Sequence, residues 1–222
     1  MSGDAVIRGV CFDLDGTLVD SERLQWEAYR RVLADHGVDI GLEEYRRHFI
    51  AVAGGAEYAC RRYGLPIDAA TLRARKGAVY GELIKRGVPP IAGARACLER
   101  LHEGWKLAVV TNSTRAEATT ILEPLGFASL LDVLVAREDY SSAKPAPDAY
   151  LAAAAALGLP APACVAVEDT PRGLVAARAA EMRVVAVPGE LTADQDFTGA
   201  WRRLPDLDAL TPALLREAGA AS

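Results

Sequence analysis

The feature that most restricts how this chain can fold is a repeated alternation in its second half. Short, continuous apolar runs, KLAVVTN (106–112), LDVLVA (131–136), CVAVED (164–169) and RVVAVP (183–188), stand between stretches with helical spacing. Those stretches read GARACLERLHEG, TRAEATTILEPLG, PDAYLAAAAALG and PRGLVAARAA. Runs that are apolar throughout, rather than at every second residue, belong to strands covered on both faces. Strands separated by helices of this length pair in parallel through right-handed crossovers. With IRGVCFD near the start (residues 7–13) as a fifth strand, the chain is expected to be α/β, a doubly wound, mostly parallel Rossmann-like sheet.

Residues from about 20 to 90 interrupt the alternation. SERLQWEAYRRVLADHG places Leu24, Ala28 and Val32 at helical spacing, and LEEYRRHFIAV, AEYACRRYG and DAATLRARKGAVYGELIKRG continue helically with no strand among them. The expected organisation is a core of residues 1–18 and 91–222 with an all-helical insert, 19–90, and Pro89-Pro90 as a stiff hinge. The closing REAGAAS is expected to fray.

Composition narrows the partners. Of 222 residues 51% are hydrophobic, which suits a soluble globular chain, and the net charge of -5 argues against a nucleic-acid surface. No apolar run is long enough to span a bilayer and MSGDAVIRG has no apolar leader segment. Cys11, Cys60, Cys97 and Cys164 are widely spaced, and three sit in apolar or Ala-rich settings typical of buried thiols. The expectation is a cytoplasmic protein, a monomer or weak dimer, without membrane or nucleic-acid partners.

In open parallel sheets ligands bind beyond the carboxyl ends of the strands. Here the first strand ends in Asp13 and Asp15, the second in Thr111-Asn112-Ser113, and the fourth in Glu168-Asp169; Lys144 follows the third after a loop. Taken singly, each has a structural use, as a helix cap or a surface lysine. Their convergence on one sheet edge points instead to phosphoryl transfer through a carboxylate. Asp13 is the candidate nucleophile, and Asp15 the acid that protonates the leaving oxygen and later deprotonates water. Two anions facing an anionic substrate call for a hard cation. Mg2+ is expected on Asp13, the backbone carbonyl at Asp15, and a carboxylate from Asp169 or Glu168. Thr111 and the N–H groups of Asn112 and Ser113 are expected to hold phosphoryl oxygens, and Lys144 to balance charge around Asp13.

FDLDGT, VVTNS, AKPAPD and VEDT, in this order, resemble the motifs of the haloacid dehalogenase-like superfamily of phosphatases and phosphomutases. The resemblance implies that the helical insert is a cap domain that closes over the site and selects the substrate. KPAPD and VEDTPRGLVAA are most similar to the subgroup of beta-phosphoglucomutase and small sugar-phosphate phosphatases. Two positions depart from the mutase: Gln25 stands where it has a His, and Gly54, in AVAGGAE, where it has an Arg. Hydrolysis of a small phosphorylated metabolite, such as a sugar phosphate, is therefore expected over a hexose-phosphate mutase. A non-catalytic phospho-ligand or protein-binding module on the same fold is a third reading, opposed by the intact acids, threonine and lysine. Dehalogenation is disfavoured because it does not need Asp15. In the insert, Glu22 and Gln25 are candidates to touch substrate hydroxyls. Arg46, Arg47 and His48 either reach a second anionic group or form one face of an ordinary amphipathic helix. Relatives close the helix before the last strand with Gly; this chain has Glu181, so a strained left-handed residue is expected there.

Overall fold

The computed structural model describes residues 6–51 and 54–220. Two compact units emerge, one from the chain up to Asp20 and from Pro89 onward, the other Ser21–Val88. The first unit is built on a parallel sheet of β1 (Gly9–Phe12), β2 (Lys106–Val110), β3 (Val133–Val135), β4 (Cys164–Glu168), β5 (Arg183–Ala186) and β6 (Arg202–Arg203), in the order β3-β2-β1-β4-β5-β6. β1 is central, with Cys11 opposite Ala108 on one side and Ala166 on the other. Val10, Cys11, Phe12 and Val165 to Val167 are fully buried, as continuous apolar runs require. β6 adds a strand to the five expected. Its two exposed arginines carry no apolar pattern, and backbone pairing alone extends the edge: Trp201 N–H donates to Val184 O and Leu204 N–H to Ala186 O, each at 2.8 Å.

The second unit is helical throughout its described residues. It comprises α1 (Glu22–Ala34), α2 (Leu42–Tyr45), α3 (Gly55–Tyr63) and α4 (Ala69–Ile84). Asp68 opens α4, its carboxylate accepting from Thr71 N–H at 2.7 Å. Where a single helix was expected from Leu42, α2 passes into a π turn over Arg46–Ile50, in which Ala51 N–H reaches back to Arg46 O at 3.0 Å. The wider turn accompanies an aromatic cluster: Phe49 lies 5.3 Å from Tyr45 and 4.7 Å from Tyr29, ring centre to ring centre.

Returning to the first unit, its helices are α5 (Ala94–His102), α6 (Arg115–Leu122), α7 (Asp148–Leu157), α8 (Pro171–Ala179) and α9 (Pro212–Ala220). Thr114 and Glu117 form a reciprocal capping box on α6. The last segment is helical as far as Ala220, where α9 buries Leu215 and Ala218; residues 221 and 222 lie outside the described part. Cys11, Cys97 and Cys164 are buried free thiols and Cys60 is partly exposed. Among the described residues, no helix is long and apolar enough to cross a membrane.

Beyond α8, Glu181 is the one non-glycine residue at positive φ among those described, at 64°. It sits where Met182 N–H bonds Ala177 O at 3.0 Å and Glu181 N–H bonds Arg178 O at 2.9 Å, the helix-closing pattern that glycine usually serves. A left-handed L-residue costs roughly 1–2 kcal/mol, part of which the extra chain entropy of glycine cancels. Glu181→Gly is therefore expected to stabilise the protein by about 0.5–1 kcal/mol, or roughly 1–4 °C in Tm. Urea and thermal unfolding check this; an unchanged or lower Tm counts against strain at this residue.

Candidate active site

At the carboxyl edge of the sheet, Asp13 N–H still bonds Val167 O at 2.9 Å, so the first acid continues the parallel register of β1 and β4. Its side chain meets Lys144, whose Nζ lies 2.5 Å from Asp13 Oδ1, 2.7 Å from Glu168 Oε1 and 2.8 Å from Val110 O. Glu168 is held from the other side by the Tyr150 hydroxyl, which donates to Oε1 at 2.5 Å, and by Thr170 Oγ1, which donates to Oε2 at 3.2 Å. Lys144 is 6% exposed and Glu168 fully buried.

One ammonium thus serves two buried acids. Burial, reinforced by the negative charges of Glu168 and Asp15, pushes Asp13 up to about 8 despite Lys144. Burial also acts against the charge on Lys144, but Asp13 and Glu168 outweigh it and hold the ammonium above its ordinary range. Burial, with Glu168 beside it, raises Tyr150 well above the usual phenol value, so it remains a hydrogen-bond donor.

Asp15 is anchored by hydroxyls. Thr111 Oγ1 and Ser113 Oγ donate to its Oδ2 at 3.0 and 2.8 Å, while Ser113 N–H donates to Thr111 Oγ1 at 2.9 Å. Ser113, expected to face phosphoryl oxygens, is in this geometry turned toward Asp15 and Thr111. Asn112 Oδ1 accepts from Lys144 N–H at 3.2 Å and from the Tyr140 hydroxyl at 2.8 Å, tying the loop after β2 to the loop that delivers the lysine.

Two glycines allow this density of acids. Gly16 has φ +88°, and a methyl there would lie 2.2 Å from Asp169 Oδ2; a methyl on Gly173 would lie 1.9 Å from Glu168 Cδ. Thr17 Oγ1 donates to Asp169 Oδ1 at 3.3 Å. Asp13, Glu168 and Asp169 are all buried and each offers an oxygen within 4.8 Å of the others. Three buried carboxylates against one lysine leave an excess of negative charge, and the donors are all oxygen. This set fits a hard divalent cation.

A small cavity opens on Asp13, Asp15, Thr111, Asn112 and Lys144, and also on Thr170 and Arg172. The sequence reading missed Thr17, Tyr140, Tyr150, Thr170 and Arg172. For Tyr150 the sequence offers only its place six residues after Lys144, on the helix that KPAPD opens, where it patterns as an ordinary core residue.

Glu22 and Gln25 belong to the helical unit. Glu22 is buried and accepts from the Tyr45 hydroxyl at 2.8 Å. Gln25 Oε1 accepts from Lys76 Nζ, a lysine the sequence reading also missed, which lies 4.6 Å from the Tyr80 ring centre. Arg46 and Arg47 both pair with Glu43, at 3.1 and 2.7 Å, and His48 stacks on Tyr58 at 3.9 Å. Those contacts suit the ordinary amphipathic reading of that stretch. Gly54 has φ +92°, whereas Val52 and Ala53, in the same AVAGGAE segment, lie outside the described residues.

The fold is thus an α/β one whose parallel sheet brings an aspartate pair, a lysine and further acids to one carboxyl edge. The chain belongs to the haloacid dehalogenase-like hydrolase family, whose sequence profile matches residues 10–187. It is 37% identical over 217 residues to protein CbbY of Rhodobacter capsulatus, covering 91% of this chain and 95% of that protein. It is also 31% identical over 186 residues to the fructose-1-phosphate phosphatase YqaB of Escherichia coli, covering 81% of this chain and 95% of that one. Among solved structures it resembles a mutant of CbbY from Rhodobacter sphaeroides in complex with xylulose-(1,5)bisphosphate. There the TM-score is 0.82 at 29% identity, covering 94% of this chain and 99% of that one.

Proposed function

We propose that this hydrolase is a phosphatase that removes phosphate from a small phosphorylated metabolite through a phosphoryl group carried on Asp13. The observation that carries the reading is the pairing of Asp13 with Lys144 and Glu168 next to an Asp15 held by two hydroxyls. Asp13 Oδ attacks phosphorus and the bond to the leaving oxygen breaks as Asp15 gives that oxygen its proton. Water then attacks the phosphorus and gives its proton to Asp15. The bond to Asp13 breaks and inorganic phosphate departs. Lys144 keeps Asp13 in position and offsets negative charge as it accumulates. Asp13 and Asp169 would hold Mg2+, Glu168 being committed to Lys144, Tyr150 and Thr170; the ion would supply positive charge to offset the negative charge of the carboxylates and the phosphate. Relatives named for a sugar phosphate and bound to a sugar bisphosphate support a sugar phosphate as the substrate. Gln25 supports hydrolysis over the mutase reaction, since an amide cannot exchange a proton as an imidazole does.

The test is a screen for phosphate release from a metabolite panel by purified protein, with and without Mg2+. Phosphate released from no compound, aryl phosphates included, would favour a binding module. Excess chelator is expected to reduce turnover to background and added Mg2+ to restore it, with Asp169→Asn weakening the Mg2+ response. Full turnover in chelator contradicts the metal assignment.

A further inference from the structure

Tyr150 is fully buried in the core cluster that holds Cys11, Ala149 and Ala166, on the helix that follows the Lys144 loop. A phenylalanine ring would fill that place without a polar atom, and burying a phenol oxygen is costly unless the oxygen is paired. The pairing is with Glu168, whose Oε1 accepts the hydroxyl proton at 2.5 Å. Lys144 does not need the phenol as an acceptor. Its Nζ lies 3.3 Å from the Tyr150 oxygen, whereas its three N–H groups are matched at shorter distance by Asp13, Glu168 and the Val110 carbonyl. The hydroxyl of Tyr150 thus acts on the acid.

Glu168 stands between two cations it could serve. It pairs with Lys144 at 2.7 Å, yet it also offers an oxygen within 4.8 Å of oxygens on Asp13 and Asp169, the set that fits a divalent ion. At equal distance a divalent ion attracts a carboxylate more strongly than an ammonium does. What opposes that transfer is hydrogen bonding and space. Oε1 accepts from both Tyr150 and Lys144, and Oε2 accepts from Thr170 Oγ1 at 3.2 Å. Gly173 closes one side so tightly that a methyl there would lie 1.9 Å from Glu168 Cδ. Of the donors that hold the carboxylate, Tyr150 makes the shortest contact. We propose that Tyr150 is a positioning residue that sets which metal the site takes: its hydroxyl reserves Glu168 for Lys144 and leaves the cation two carboxylates, Asp13 and Asp169. This proposal rests on the metal assignment made above. Mg2+ keeps several waters and is held by one or two carboxylates, whereas Ca2+ takes about six to eight oxygens and gains from each added carboxylate. Withholding Glu168 therefore favours Mg2+ over Ca2+.

Tyr150→Phe keeps the ring in the core and removes the hydroxyl. Calorimetry with MgCl2 alone and with CaCl2 alone, on wild type and variant, reads the cation without substrate or turnover. A hydrogen bond to a charged acceptor is worth roughly 10- to 100-fold in an equilibrium. Glu168 released from Tyr150 becomes available to the ion, so Ca2+ affinity is expected to rise about tenfold relative to that for Mg2+. In a Glu168→Gln background the same Tyr150→Phe change should leave the ratio as it was, because the amide brings no charge. A ratio of Ca2+ to Mg2+ affinity that Tyr150→Phe does not move overturns the proposal, as does a shift that persists in the Glu168→Gln background. If wild type binds neither ion, the metal assignment fails. Ca2+ binding gained by Tyr150→Phe would then still support the withholding of Glu168, and no binding by Tyr150→Phe either would overturn it.

Discussion

Asp13→Asn is expected to reduce turnover by at least about 10⁴-fold, because removal of a nucleophile leaves only binding and electrostatic stabilisation. The amide is nearly isosteric with the carboxylate, so the fold should persist and the loss be chemical. The contrast with Asp15→Asn carries the mechanistic information. That variant keeps the nucleophile and loses the acid and base, worth about 10²–10⁴-fold in each step they assist. An aryl phosphate departs without much protonation, so its first step should suffer less than that of a sugar phosphate. Phosphate should then accumulate on Asp13 of the Asp15→Asn enzyme, where rapid quenching and mass spectrometry can find it. Phosphate on another residue, or turnover by Asp13→Asn that survives exclusion of deamidation and contamination, contradicts the assignment.

The two aspartates were legible because of where they stand. A fully buried apolar run, Val10 to Phe12, that ends in Asp13 has no packing reason to do so, and the same logic exposes Glu168 at the end of β4. Glycines in DGT and RGL left a weaker trace, since a sequence shows that a side chain is missing but not what fills its place. Here Asp169 and Glu168 fill it. The aromatic partners were not legible. Tyr150 lies on an Ala-rich helix and packs in the core with Cys11 and Ala149, so its pattern is that of an ordinary core residue; only its hydroxyl reaches the acid. Glu181 was legible for the opposite reason, as a charged residue at a helix end whose geometry favours glycine. The π turn after α2 and the two-residue β6 escaped notice because neither depends on hydrophobic periodicity.

Lys144→Met is expected to have the largest effect on stability and to lower turnover as well. Methionine roughly fills the space of the lysine stem but leaves Asp13 and Glu168 facing each other, buried, without a cation. Removing one partner from a buried ionic pair costs about 3–5 kcal/mol. The pH dependence follows from the direction of each shift. Lys144 is held above the ordinary lysine value, so its contribution is complete at neutral pH and disappears only as pH rises through its folded-state value. Asp13 is raised from 3.8 to about 8, so the folded state binds the proton more tightly and its contribution to stability falls as pH rises through that window. Without the ammonium, Asp13 holds its proton more tightly still. The deficit of the variant relative to wild type should therefore shrink as pH is lowered from about 8 toward 5, where a neutral Asp13 no longer needs a cation. Urea unfolding of both proteins across that range, in chelator, measures it. Mg2+ should then recover part of the stability at pH 8, because a divalent ion on Asp13 and Asp169 lowers the same excess of negative charge. A deficit under about 1 kcal/mol at pH 8, or one that grows on acidification, would mean that Lys144 is not the charge that holds these acids together.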